Sequence, residues 1–251
     1  MVASLEGWLR CPVILTEYPD QRFTLAENEV QVWRVFEGQQ TFPLERLQAI
    51  LSLEERERAA KFRFETDRDR FILARGLLRV LLSYYTGQAA ADLCFRYGEF
   101  GKPELEPPAV CFNVSHSPGL ILYAVTRDRA VGIDVESIRT DFPDLEIAQK
   151  FFAPQEFAML RQLPPEMRCL AFFWGWTCKE AYIKATGKGL SLPLNQFTVS
   201  LLPTEPAQLL STVGDSPDRW LLQALNLGEN YAGALAVEGR DSQVKLLELC
   251  I

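Results

Sequence analysis

Two carboxylates placed two residues apart, Asp134 and Glu136 in the run VGIDVE, carry the first spacing in this chain that suggests chemistry. On a strand, positions i and i+2 project to one face, so both carboxylates point the same way. Neighbouring negative charges repel unless a proton, water or a cation intervenes. A magnesium ion suits such hard oxygen donors and often completes its shell with phosphate oxygens. A strand end with two solvated acids is the alternative this spacing leaves open. A second pair, Glu180 and Lys184, stands four apart on one helix face. It reads as a surface ion pair or as two charges bordering a cleft. The surrounding Phe172, Phe173, Trp174, Trp176, Ala181, Tyr182 and Ile183 exceed what a surface helix needs, which favours the cleft. Lys179 points elsewhere and reads as a solvated neighbour. His116 is the one histidine, and it lies in FNVSHS (112–117) between Ser115 and Ser117. Followed by Pro118-Gly119, it falls at a strand end, where an imidazole and hydroxyls can donate to phosphate. A hydrogen-bonded histidine without a role fits equally well.

Strands are predicted at 13–17, 30–35, 110–114, 120–125, 131–135, 196–202 and 231–237. Ser52 with Glu55 forms a capping box that opens a helix over 53–62. Apolar residues at spacings of three and four predict a second helix over 67–85. A helical region is expected at 144–162, and a helix over 170–186 that stops before Gly187-Lys188-Gly189. Gly101-Lys102-Pro103 signals a turn. Residues 70–88 align without gaps on 170–188, an offset of 100, and both segments end in Thr-Gly. Duplication of one α+β unit would produce that echo.

The charge of −7 argues against general nucleic-acid binding, and no apolar run reaches the length of a membrane span. A cytoplasmic location is the resulting expectation, and a monomer is expected as well. Six cysteines without a C-x-x-C pair favour free thiols over structural zinc or a disulfide framework. A single histidine rules out an H-E-x-x-H zinc site; the chain also lacks a G-x-S-x-G elbow and a Walker motif.

With GKP at 101–103, FNVSHS at 112–117, VGIDVE at 131–136 and WGWTCKEAYIKATGKGLSLPL at 174–194, the chain resembles the 4'-phosphopantetheinyl transferases of the surfactin-synthetase-activating (Sfp-like) type. A looser match covers SLEERERAAKF (52–62) and RFILARGLLR (70–79), so the resemblance spans roughly residues 50–200. It implies an α+β fold made of a pseudo-twofold pair of similar subdomains, here 1–108 and 109–251, with coenzyme A as substrate in the cleft between them. It implies magnesium held by Asp134, Glu136 and Glu180, and phosphate contacts from Lys184, Ser115 and His116, the last two near the ribose 3'-phosphate. Gly101, Lys102 and Pro103 would lie against the adenine, and Arg58 and Arg75 toward the phosphates. Arg79 is either another such base or a solvent-facing partner of Arg75. Glu55 departs from some bacterial relatives that carry a lysine there contacting the 3'-phosphate, so it should point away from phosphate or pair with an arginine. The implied reaction moves phosphopantetheine to a serine of an apo acyl or peptidyl carrier protein and releases 3',5'-ADP. Glu180, directly or through water, is the candidate base, with a metal-bound hydroxide as the alternative, and Lys184 is the candidate partner of the leaving phosphate. The carrier is expected to dock near 152–168, where Met159, Leu160, Arg161 and Met167 lie, or near Lys188.

Overall fold

The computed structural model describes residues 7–12, 22–39 and 43–250. It opens with β1 (Leu9–Pro12) and β2 (Glu29–Phe36), while the strand expected at 13–17 lies outside the described residues. Three helices follow, α1 (Leu44–Ala49), α2 (Leu53–Ala60) and α3 (Glu65–Thr86). Next come a hairpin, β3 (Cys94–Tyr97) and β4 (Pro103–Glu106), and three strands, β5 (Cys111–Ser117), β6 (Leu120–Thr126) and β7 (Val131–Ser137). Helices α4 (Asp144–Phe151), α5 (Pro154–Gln162) and α6 (Pro165–Thr186) precede the last strands. These are β8 (Phe197–Val199), β9 (Leu209–Thr212), β10 (Trp220–Ala224), β11 (Tyr231–Glu238) and β12 (Gln243–Cys250).

The single helical region expected at 144–162 is therefore two helices. Phe152 and Ala153 adopt extended backbone, and Pro154, which has no N–H to donate, opens α5. The α3 and α6 helices both begin earlier than their apolar spacing indicates. Each has 22 residues and ends on a left-handed glycine, Gly87 at φ 70° and Gly187 at φ 68°. A side chain at either position would cost about 1–2 kcal/mol in that conformation.

One sheet has the order β1-β12-β2-β6-β5, and a second has the order β10-β11-β7. Strand β7 alternates as its sequence predicts. Val131, Ile133 and Val135 join a core with Val30, Val32, Leu120 and Leu122. Gly132 on the opposite face meets α6 so closely that a Cβ there would overlap Ala181 O and Ala185 N. The neighbouring strand presents the small Ala232, Ala234 and Ala236 to the core that α6 builds. Phe172 of that helix stacks on Phe152 and Trp176 with centroids 5.4 and 5.8 Å apart. Each such buried aromatic contributes roughly 1.5–3 kcal/mol, which fixes where the helix lies.

The two sheets meet at β5 and β7, and side chains join them. Asn113 Oδ1 accepts from Ile133 N at 2.9 Å, Ser115 Oγ from Val135 N at 3.3 Å, and Ser117 Oγ from Ser137 N at 2.8 Å. Alternate residues of FNVSHS thus satisfy alternate N–H groups of VGIDVES, which pins the register of the two motifs. No helix among the described residues is long and apolar enough to cross a membrane.

Candidate active site

Lys184 reaches from the last turns of α6 to β7. Its Nζ donates to Asp134 Oδ1 at 2.7 Å, Ser115 Oγ at 3.0 Å and the Ile133 carbonyl at 3.2 Å. Ser115 Oγ donates in turn to Asp134 Oδ1 at 2.9 Å. The sequence-predicted residues from three separate motifs therefore converge on one carboxylate oxygen. The other oxygen, Asp134 Oδ2, is buried and has no hydrogen-bond partner among the described residues. An orphaned buried carboxylate oxygen costs about 1–3 kcal/mol, so a cation is a fitting partner for it.

Glu136 and Glu180 share that electrostatic environment. Burial, reinforced by Asp134, pushes Glu136 up to about 7. Burial and then Asp134 raise Glu180, and the Lys184 ammonium partly offsets them. Three carboxylates that feel one another at this density are a donor set suited to a hard divalent cation. Among the described residues, however, no three His, Cys, Asp or Glu side chains stand close enough together to form a ready coordination shell. The fit lies in donor chemistry and charge, and not in a closed cage.

Two adjoining cavities collect most of the remaining predicted residues. One of about 250 Å³ is lined by Gly101, Lys102, Pro103, Glu180 and Lys184. The other, about 190 Å³, is lined by Arg58, Arg75, Gly101, Pro103 and His116. His116 stays exposed to solvent, and partial desolvation with the nearby charges of Lys184 and Arg70 lowers its pKa. Arg70, which the sequence did not single out, adds positive charge there while pairing with Glu37 at 2.9 Å.

Lys102 is more engaged than a free contact for adenine. Its ammonium donates to the Val131 carbonyl at 2.9 Å and the Lys184 carbonyl at 2.7 Å, which ties the β4 hairpin to β7 and α6. Burial pushes its pKa down from 10.5 to about 8. Between those values the unfolded chain holds a proton that the folded chain has released, so stability from Lys102 grows as pH rises from about 8 to 10.5 and is lost as pH falls through 8. The neutral amine keeps two N–H groups, enough for both carbonyls. Urea unfolding of Lys102→Met at pH 7 and pH 9.5 should lack the alkaline gain of the parent, and an unchanged gain would refute this assignment.

Several expectations need correction. Lys179 is not a solvated neighbour: it is 0% exposed, pairs with Glu156 at 2.8 Å and donates to the Leu194 and Phe197 carbonyls. Arg79 does not face solvent, being 1% exposed and bonded to Glu55 and the Ala90 and Leu93 carbonyls. Glu55 follows the arginine-pairing alternative expected of it, meeting both Arg75 and Arg79. Each long helix thus carries a buried base, at 79 and 179, that grips a buried acid on the preceding short helix. In the region expected to dock a carrier, Leu160 is buried, Arg161 lies over the Phe157 ring, and Met159 and Met167 are exposed. Asn113 was missed, although its period-two spacing with Ser115 was a usable signal, and Ser117, read as a possible phosphate donor, has its hydroxyl accepting from Ser137 N. Cys94, Cys111, Cys169 and Cys178 form no disulfide, and of these four only Cys178 is buried.

The family described as "4'-phosphopantetheinyl transferase superfamily" matches residues 130–236, and one described as "4'-phosphopantetheinyl transferase, N-terminal" matches 33–127. The chain is 41% identical over 227 residues to the 4'-phosphopantetheinyl transferase HetI of Nostoc sp., covering 88% of this chain and 93% of that protein. It is 35% identical over 193 residues to a 4'-phosphopantetheinyl transferase of Bacillus pumilus, covering 76% and 81%. The 4'-phosphopantetheinyl transferase Sfp of Bacillus subtilis is 35% identical over 158 residues, covering 62% of this chain and 69% of its own length.

Proposed function

Because this chain belongs to the 4'-phosphopantetheinyl transferase superfamily, we propose that it transfers the 4'-phosphopantetheine arm of coenzyme A to a serine of an apo carrier protein, releasing 3',5'-ADP. The observation that carries this reading is the meeting of Lys184, Asp134 and Ser115 beside Glu180 at a cavity wall. That cavity and its neighbour draw on both parts of the chain, Arg58 and Arg75 from the first and Glu180 and Lys184 from the second. Together with the repeated helix and its buried acid–base pair, this supports two fused α+β units with the coenzyme between them.

In the reaction the serine oxygen bonds to the β-phosphorus, and the bond from that phosphorus to the bridging oxygen of the diphosphate breaks. The hydroxyl proton passes to a base, and the electron pair leaves on the phosphate of 3',5'-ADP. Glu180 suits the base, because burial and Asp134 raise its proton affinity above that of a free carboxylate. Lys184 is placed to neutralise charge that grows on the leaving phosphate, where a fixed cation helps most. Ser115 and Asp134 hold that ammonium in place, so no reorganisation is needed during transfer. Asp134, Glu136 and Glu180 would hold magnesium, which when bound withdraws charge from the diphosphate. The partner is an acyl or peptidyl carrier domain.

Mass spectrometry of an apo-carrier incubated with this protein, coenzyme A and magnesium tests the proposal. A gain of about 340 Da, the covalent addition of phosphopantetheine to serine, is expected. A protein that only binds coenzyme or carrier would give no gain, and a phosphohydrolase would consume coenzyme A without any carrier. Either outcome would overturn the reading.

A further inference from the structure

Glu55 occupies the third position of α2, 3% exposed, and closes the capping box with Ser52. Its Oε2 accepts from Arg79 Nε at 2.6 Å, and its Oε1 accepts from Arg75 Nε. These two contacts hold its carboxyl below the usual range despite burial. Arg79 is committed to structure, with Nη1 donating to the Ala90 and Leu93 carbonyls at 2.9 Å. Arg75 is held but not consumed. Its Nη2 donates to Tyr97 Oη at 2.8 Å, and its guanidinium lies 4.2 Å from the Phe95 ring centroid. Arg75 Nη1 has no hydrogen-bond partner among the described residues, and the side chain lines the cavity of about 190 Å³ with Arg58 and His116. Two guanidinium groups against one carboxylate leave the cluster with a surplus positive charge behind that wall.

We infer that Glu55 is a positioning residue: it fixes Arg75 between its carboxylate and Tyr97, so that the cavity selects the 3'-phosphomonoester of coenzyme A. The inference rests on the transferase reading proposed above. Coenzyme A carries phosphate in two places, the diphosphate and the ribose 3'-phosphate. Glu180 and Lys184 line the neighbouring cavity, where the diphosphate must lie for transfer to occur. The cavity with Arg58, Arg75 and His116 has no carboxylate among its lining residues, which suits a dianionic monoester. An arginine pinned before binding loses little rotamer freedom when the phosphate arrives, whereas an untethered one loses much more. The acid thereby assists anion binding although its own charge opposes it.

That opposition gives the test its sign. If Glu55 acted through charge alone, Glu55→Gln would strengthen the cavity's positive field and lower KM for coenzyme A. If it acts by holding Arg75, KM for coenzyme A should rise about tenfold, the scale of one charge-assisted hydrogen bond. The experiment is steady-state transfer to an apo-carrier by the parent, Glu55→Gln and Arg75→Lys, each with coenzyme A and with 3'-dephospho-coenzyme A, alongside thermal unfolding. The parent should prefer coenzyme A, and both variants should lose that preference by about the same tenfold factor, because one ammonium cannot span Glu55 and Tyr97. Should Glu55→Gln fail to fold, Arg75→Lys carries the test. A preserved preference in Arg75→Lys, or a lowered KM for coenzyme A in Glu55→Gln, overturns the inference. So does a parent that treats both coenzymes alike, although the transferase reading would then stand. Absence of transfer from either coenzyme by the parent would instead sink the transferase reading, and this inference with it.

Discussion

Asp134→Ala should lower transfer by about a thousandfold at saturating magnesium and coenzyme A, the upper scale for removing a preorganised charged group from a reacting centre. The substitution deletes the oxygen that anchors Lys184 and Ser115, and with it the buried Oδ2 that has no partner among the described residues. Magnesium binding measured by calorimetry should weaken in parallel, a readout independent of turnover. Stability should suffer far less. Breaking a fully buried ion pair costs about 3–5 kcal/mol because a stranded charge remains. Here the Lys184 side chain is 27% exposed and keeps Ser115 and the Ile133 carbonyl, so water can reach it. Losing an unsatisfied buried oxygen offsets part of the remainder, and a net cost of about 1–2 kcal/mol follows. Retention of most activity by Asp134→Ala, with unchanged magnesium affinity, would remove this carboxylate from the mechanism.

The second large effect is expected at a residue with no functional group. In Gly132→Ala the new methyl would overlap Ala181 O and Ala185 N and stand 2.8 Å from the Lys184 carbonyl carbon. Those atoms are backbone, so no rotamer change relieves the clash, and α6 must move away from β7. Overpacking of this kind costs about 3 kcal/mol or somewhat more. For a chain of this size that lowers the unfolding midpoint by roughly 6–12 °C. The displaced helix carries Lys184 with it, and a shift of about 1 Å between reacting groups costs about a hundredfold in kcat. Both quantities should be measured well below the new midpoint, so that lost turnover is not lost fold. A midpoint within 2 °C of the parent and kcat within about twofold would show that the approach is looser than described.

How much of this was legible in the sequence differs from residue to residue, for physical reasons. The alternation in VGIDVE placed Asp134 and Glu136 on one face, because strand geometry leaves no other choice. The Ser52–Glu55 capping box formed as read, since it depends only on residues three apart. Lys179 was misread because nothing near it in sequence announces its partners. Glu156, Leu194 and Phe197 reach it only after α5 and β8 have packed. Strands β3, β9 and β10 went unseen for a related reason: each is five residues or fewer, too short for alternation to register. Lys102 was read as a ligand contact, and its role as a clamp depends on carbonyls contributed by two distant elements.

The place of β12 bears on how the chain reaches this state. It lies between β1 and β2, and Arg34 on β2 meets Glu248 on β12 across 214 positions of sequence. The strands nearest the start of the chain cannot complete their ladder until that late segment has been synthesised and threaded beside them. In the growing polypeptide β2 therefore waits with one margin uncovered, a template for mispairing with other chains. Closing so long a loop is slow, so the early half should be the last to consolidate, and chaperones should find it the more persistent client.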